Sequence, residues 1–93
     1  MFKGHFFYMQ FSDLPPFIKV SPVFTPEEIQ QLLTVNQLPD DYEIDAIRDE
    51  PEIFDLLNAF IGDDSSRQIH LQLYAQDLLK KNKVDQAWKV ILL

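Results

Sequence analysis

The side chains best equipped for chemistry in this 93-residue chain are carboxylates. Ten crowd between positions 40 and 64 (Asp40, Asp41, Glu43, Asp45, Asp49, Glu50, Glu52, Asp55, Asp63 and Asp64), with Arg48 as the one basic residue among them. Asp41, Glu43 and Asp45 alternate as the oxygen ligands of a calcium loop do, but such a loop needs glycine at its sixth position and glutamate at its twelfth. Ala46 stands at the sixth, and Glu52 at the twelfth directly follows Pro51, so the loop is not formed. A carboxylate pair for glycoside chemistry needs a pocket between its members, for which so short a chain has little room.

Other reactive constellations are missing from the sequence. There is no cysteine, and His5 and His70 are the two histidines, so a zinc site would have to draw two or more ligands from carboxylates. Gly4 and Gly62 are the only glycines, too few for a phosphate-cradling loop. Ser12, Ser21, Ser65 and Ser66 sit in no motif that activates a hydroxyl, and Ser65 and Ser66 read more simply as helix caps. No catalytic residue, metal ligand or cofactor site is assigned, and the chain is not expected to be an enzyme.

Charge narrows the partners. Positions 40–64 carry a net charge of −9 within a total of −7, which leaves +2 for the remaining 68 residues. Such a balance repels phosphate backbones and anionic lipid, so direct nucleic-acid and membrane binding are not expected. Lys80, Lys81, Lys83 and Lys89 form the one locally basic stretch and read as a solvated helix end. Met1 to Phe11 lacks the pattern of a secretory leader, and no apolar run is long enough to cross a bilayer. With no cysteine, the expected location is cytoplasmic.

The elements that must position these residues read as one domain, 1–93, of an α+β class that is mostly helical. His5 to Phe11 is aromatic and alternating, with Phe7, Met9 and Phe11 on one face and Phe6 and Tyr8 on the other. A turn at Ser12 to Pro16 and a second strand over Phe17 to Val20 would complete an N-terminal β-hairpin or extended segment. Three to four short helices follow. Thr25, Pro26 and Glu28 give the first a capping box with proline at its first position, ahead of a stripe of Ile29, Leu32 and Leu33. Residues 42–48 fit strand and helix equally. A second helix opens near Asp49 with Pro51 in its first turn, buries Ile53, Leu56, Leu57 and Phe60, and ends at Gly62 in a left-handed conformation. The third, capped from Asp63 to Ser66, has an apolar face wider than one neighbour covers.

The last two helices make an antiparallel hairpin. Leu71, Tyr74, Ala75 and Leu78 in one and Ala87 and Ile91 in the other, with Ala75 and Ala87 twelve residues apart as the small crossing pair, resemble one tetratricopeptide-type repeat. The resemblance covers 21 of 93 residues and has no second copy, so it implies a generic helical hairpin.

The resulting functional expectation is a non-catalytic protein–protein interaction module: a small acidic adaptor, chaperone-like or immunity-type inhibitor protein. The early aromatics, Phe2, Phe6, Phe7, Tyr8, Phe11, Phe17 and Phe24, exceed what a small core readily covers, and exposed apolar surface marks contact sites. Candidate contact residues are Phe6, Tyr8, Asp40, Asp41, Glu43, Asp45, Asp49, Glu52 and Trp88, the last also lying on the core stripe of its helix. The expected partner is another, basic, protein, and self-association as a homodimer is expected as well. Two alternatives remain: an acidic mimic of nucleic acid that inhibits a DNA-binding protein, and a subunit of an enzyme complex whose site forms across an interface.

Overall fold

The computed structural model describes residues 10–35 and 38–93. Among them are α1 (Pro16–Lys19), α2 (Pro26–Leu32), α3 (Asp41–Ala46), α4 (Pro51–Ala59), α5 (Asp64–Lys80) and α6 (Val84–Ile91), two 3-10 turns at Phe11–Asp13 and Ile47–Asp49, and no strand. The mostly helical expectation holds, and the β-hairpin is corrected. Phe17, Ile18 and Lys19, assigned above to its second strand, are helical. Pro16 occupies the first helical position, where its fixed φ suits the helix and its missing N–H would have had no partner. The aromatic content that suggests a strand instead fills a gap in the core, since Ile18 is fully buried and Phe17 packs beside it. Most of the first expected strand, His5 to Met9, with Phe6 and Tyr8, lies outside the described residues.

The helix starts follow local hydrogen-bond chemistry. At α2 the Glu28 amide donates to Thr25 Oγ1 (3.2 Å) and the Thr25 amide donates to Glu28 Oε1 (2.8 Å), the reciprocal box anticipated from the sequence. A second box, unread in the sequence, opens α3: the Glu43 amide donates to Asp40 Oδ1 (2.8 Å) and the Asp40 amide to Glu43 Oε1 (3.2 Å). This resolves residues 42–48 as a short helix followed by a 3-10 turn. Asp63 caps α5 by accepting from the Ser66 amide at 3.2 Å, so Ser65 and Ser66 lie inside the helix and do not cap it. Between α4 and α5 Gly62 takes φ +84°, as expected. Asn82 takes φ 59° after α5, where the Asn82 amide donates to the Leu79 carbonyl and the Lys83 amide to the Leu78 carbonyl, a paired closure of the helix end.

Helix α5 is the centre of the packing. It lies against α6 along the hairpin, against α2 on one flank and against α4 on the other. Leu71, Ala75 and Leu79 are buried along its inner stripe, and Ala87, Trp88, Val90 and Ile91 are buried on α6. Ala75 and Ala87 are both fully enclosed, as the hairpin spacing requires. Leu14, Ile18, Phe24, Leu32, Leu33, Ile47 and Ile53 complete one continuous core.

Polar side chains fasten the N-terminal half to this hairpin. Gln76 Nε2 donates to the Val23 carbonyl and to Glu28 Oε1, each at 2.8 Å, and Gln31 Nε2 donates to the Leu79 carbonyl at 2.7 Å. The buried Gln72 accepts a short hydrogen bond from the Ser21 hydroxyl. Partial desolvation pushes the Glu28 carboxyl up, yet bonds from Gln76 and Thr25 and the charge of Lys80 together hold it below the usual carboxylate range. Trp88 Nε1 donates to the Leu32 carbonyl at 2.9 Å, which satisfies the last residue of α2 from inside the core.

Trp88→Phe keeps an aromatic ring but strands the Leu32 carbonyl, so it should cost about 1–3 kcal/mol, while Trp88→Ala should cost about 3–5 kcal/mol. Urea unfolding of the two variants checks this. A Trp88→Phe midpoint equal to that of the wild type would show that the indole bond contributes nothing.

Candidate functional site

The carboxylate stretch folds into an arm made of α3, the 3-10 turn at Ile47–Asp49 and α4. It is anchored by three apolar contacts. Ile44, Ile47 and Ile53 are buried, while Leu56 and Leu57 pack at the edge of the core. Everything charged faces outward, and all ten carboxylates from Asp40 to Asp64 are exposed. Some are engaged locally. Asp40 and Asp63 accept capping bonds, Glu43 closes the α3 box, Asp45 pairs with Arg48 at 3.2 Å and Asp64 with Arg67 at 2.7 Å. Bonding to the Ser66 backbone and side chain outweighs slight desolvation and holds Asp63 below the usual carboxylate range. Asp41, Asp49, Glu50, Glu52 and Asp55 have no ion-pair partner among the described residues.

Of the expected contact residues, Asp40, Asp41, Glu43, Asp45, Asp49 and Glu52 therefore share this arm and are accessible. Trp88 does not join them. Its exposure is 0%, and its one polar atom is bonded inside the core, so its side chain has no surface to offer a partner. Phe6 and Tyr8 lie outside the described residues.

Three side chains on the arm escaped the sequence reading. Tyr42 is 84% exposed, Phe54 57% and Ile61 74%. Phe54 stands off the Ile53, Leu56, Leu57 and Phe60 stripe of the sequence, and Ile61 follows in the turn after α4. That offset is the signal the sequence carried. Phe60 is turned toward α5, where its ring stacks on the exposed His70 at 4.3 Å between centroids.

A cleft of about 330 Å³ opens where the start of α4 meets the turn between α5 and α6. Glu50 and Glu52 from the start of α4 and Tyr74, Asp77 and Leu78 from α5 line it, together with Val90, Lys81 and Lys83. Lys81 is engaged by Asp77 at 3.1 Å. Glu50 is the N-cap residue of α4 yet makes no side-chain cap bond, so its carboxylate is not consumed by the helix it precedes. Desolvation pushes the Tyr74 phenol above its ordinary range, and Glu52, Glu50 and Asp77 add to this against the opposing charge of Lys81. Among the described residues no three His, Asp or Glu side chains converge to hold a metal ion, and no helix is long and apolar enough to cross a membrane.

Because its folded-state value is raised, Tyr74 favours the fold as neutral phenol. That contribution is complete below the ordinary tyrosine value of about 10 and drains away as pH rises through the higher folded value. Tyr74→Phe should therefore lose less stability than the wild type as pH rises above about 10 in urea unfolding, and the two should run parallel below it. Identical alkaline losses in the two proteins would contradict the raised phenol.

No protein-family model matches the chain, and neither a curated protein nor a solved structure is significantly similar to it.

Proposed function

We propose that the chain is a non-catalytic interaction protein that presents its α3–α4 arm to a basic partner protein. The observation that carries this reading is that the same short helices expose both aromatic side chains and carboxylates without an ion partner: Tyr42 and Asp41 on α3, and Phe54, Glu52 and Asp55 on α4. Aromatic side chains that become desolvated against a partner dominate binding energy, while the surrounding charge speeds encounter and selects partners of opposite sign. A surface that imitated phosphates alone would have no use for the aromatics. The cysteine-free composition suits a reducing compartment, and we place the protein in the cytoplasm.

Affinity capture with immobilised wild type and with Tyr42→Ala/Phe54→Ala, each at about 0.1 and 0.5 M salt, tests the reading. A basic protein should be retained by the wild type at both salts, more weakly at the higher, and lost from the double variant. Retention that vanishes with salt and ignores the aromatic substitutions would sink the proposal in favour of nucleic-acid mimicry.

A second patch favours self-contact. Val20, 80% exposed, and Ile69 line one groove of about 320 Å³ with Phe17 and Pro22, and no charged side chain lines it. We assign this groove to a homodimer, because apolar contact between two equally charged chains is best made where the charge is not. Light scattering coupled to size exclusion should give a dimer mass that persists in high salt and becomes monomeric in Val20→Glu/Ile69→Glu. A wild-type monomer under both conditions would refute the assignment.

A further inference from the structure

The cleft beside α4 is chemically more selective than the open arm around it. Its volume of about 330 Å³ sits at the lower end of the roughly 300–1,000 Å³ typical of ligand sites, room for a long side chain and too little for a folded element. Setting aside the ion pair between Asp77 and Lys81, the charged lining is Glu50 and Glu52 against Lys83, a surplus of one negative charge. The field at the phenol agrees in sign, because Glu52 and Glu50 each act on Tyr74 more strongly than Lys81 does.

Each part of the lining suits a different part of one side chain. Two carboxylates close in sequence match the several N–H donors of a guanidinium, Tyr74 supplies an aromatic ring beside which a cation is favoured, and Leu78 offers apolar contact to methylenes. Glu50 is available for this because it does not cap α4, unlike Asp40 and Asp63, which cap the helices that follow them. We propose that the cleft receives one arginine side chain of the basic partner, its guanidinium between Glu50 and Glu52 and its stem along Tyr74 and Leu78. This inference rests on the arm being a docking surface for a basic protein. It adds the residue type recognised and the place where it is seated.

The probe is a labelled peptide of alternating arginine and glycine, followed by fluorescence anisotropy at low salt, with citrulline replacing arginine in the control. The wild type should bind the arginine peptide and not the citrulline peptide. Glu50→Gln/Glu52→Gln should weaken binding about tenfold or more, whereas Asp41→Asn/Asp55→Asn, which removes the same charge from the arm outside the cleft, should weaken it about threefold or less. All four positions are exposed, so neither pair threatens the fold. Equal losses from the two pairs would overturn the arginine slot while leaving the acidic arm as a docking surface. Failure of the wild type to bind the peptide would overturn both, and binding of the citrulline peptide as tightly as the arginine one would overturn the cation requirement.

Discussion

A helix enclosed on three sides must satisfy every polar side chain it carries into the interior, and α5 meets that constraint with glutamines. Gln72 and Gln76 stand four residues apart on the flank that faces the segment from Ser21 to Glu28, and both are hydrogen-bonded to it. Gln31 reaches back from α2 to the C-terminal end of α5. Each such amide left unpaired would cost about 1–3 kcal/mol, a large share of the roughly 5–15 kcal/mol that holds a small domain together. The same bonds set the register of α2 on the hairpin, because a shift by one residue would break all of them at once. Trp88 extends the device to α6, so the three central helices are fixed to one another by polar bonds within apolar contact.

With the central helices settled among themselves, α3 and α4 are left to contribute one face each. Their anchorage is narrow, at Ile44, Ile47 and Ile53, and the rest of their surface is free to be charged. Mutual repulsion among ten exposed carboxylates works against the fold, and surface ion pairs such as Asp45 with Arg48 offset little of it, on the order of 0–1 kcal/mol each. The larger compensation is positional. Asp40, Asp41 and Glu43 lie at the start of α3, Glu50 and Glu52 at the start of α4, and Asp63 and Asp64 at the start of α5, where carboxylates meet the positive end of the helix dipole or cap its free amides. The arm is thus acidic at a tolerable cost because its charge is placed where helices begin.

Local chemistry was legible in the sequence and long-range pairing was not. The Thr25 box, the opening of α4 at Pro51, the left-handed Gly62 and the buried Ala75 and Ala87 are written in neighbouring residues, and the structure has each of them. The Asp40 box obeys the same rule and was obscured by Pro39, which reads as a helix break although here it only precedes the cap. Phe17 to Val20 shows the limit of propensity: aromatic and β-branched residues fit a strand or a single buried turn, and Pro16 decides between them through its place at the first helical position. The bonds from Ser21, Gln31, Gln76 and Trp88 span about fifty positions each, so no local pattern could announce them. Helical spacing, and not aromatic content, separates them: Trp88 lies on the core stripe of α6 and faces inward, while Phe54 lies off the stripe of α4 and faces out.

The division of aromatics between core and surface also bears on how the arm could signal to the rest of the molecule. Ile53 and Phe54 are adjacent in sequence and opposite in environment, one nearly sealed in the core and the other open to solvent, so a partner resting on Phe54 presses on a helix whose other side abuts α5. Tyr74 sits at that junction. Its phenol is half-buried on α5 and answers electrostatically to Glu50 and Glu52 at the start of α4, which ties it at once to the central helix and to the charge of the arm. A cation seated between those glutamates would relieve their repulsion and steady the first turn of α4 against α5. Recognition at the acidic arm and packing of the core would then draw on the same few side chains.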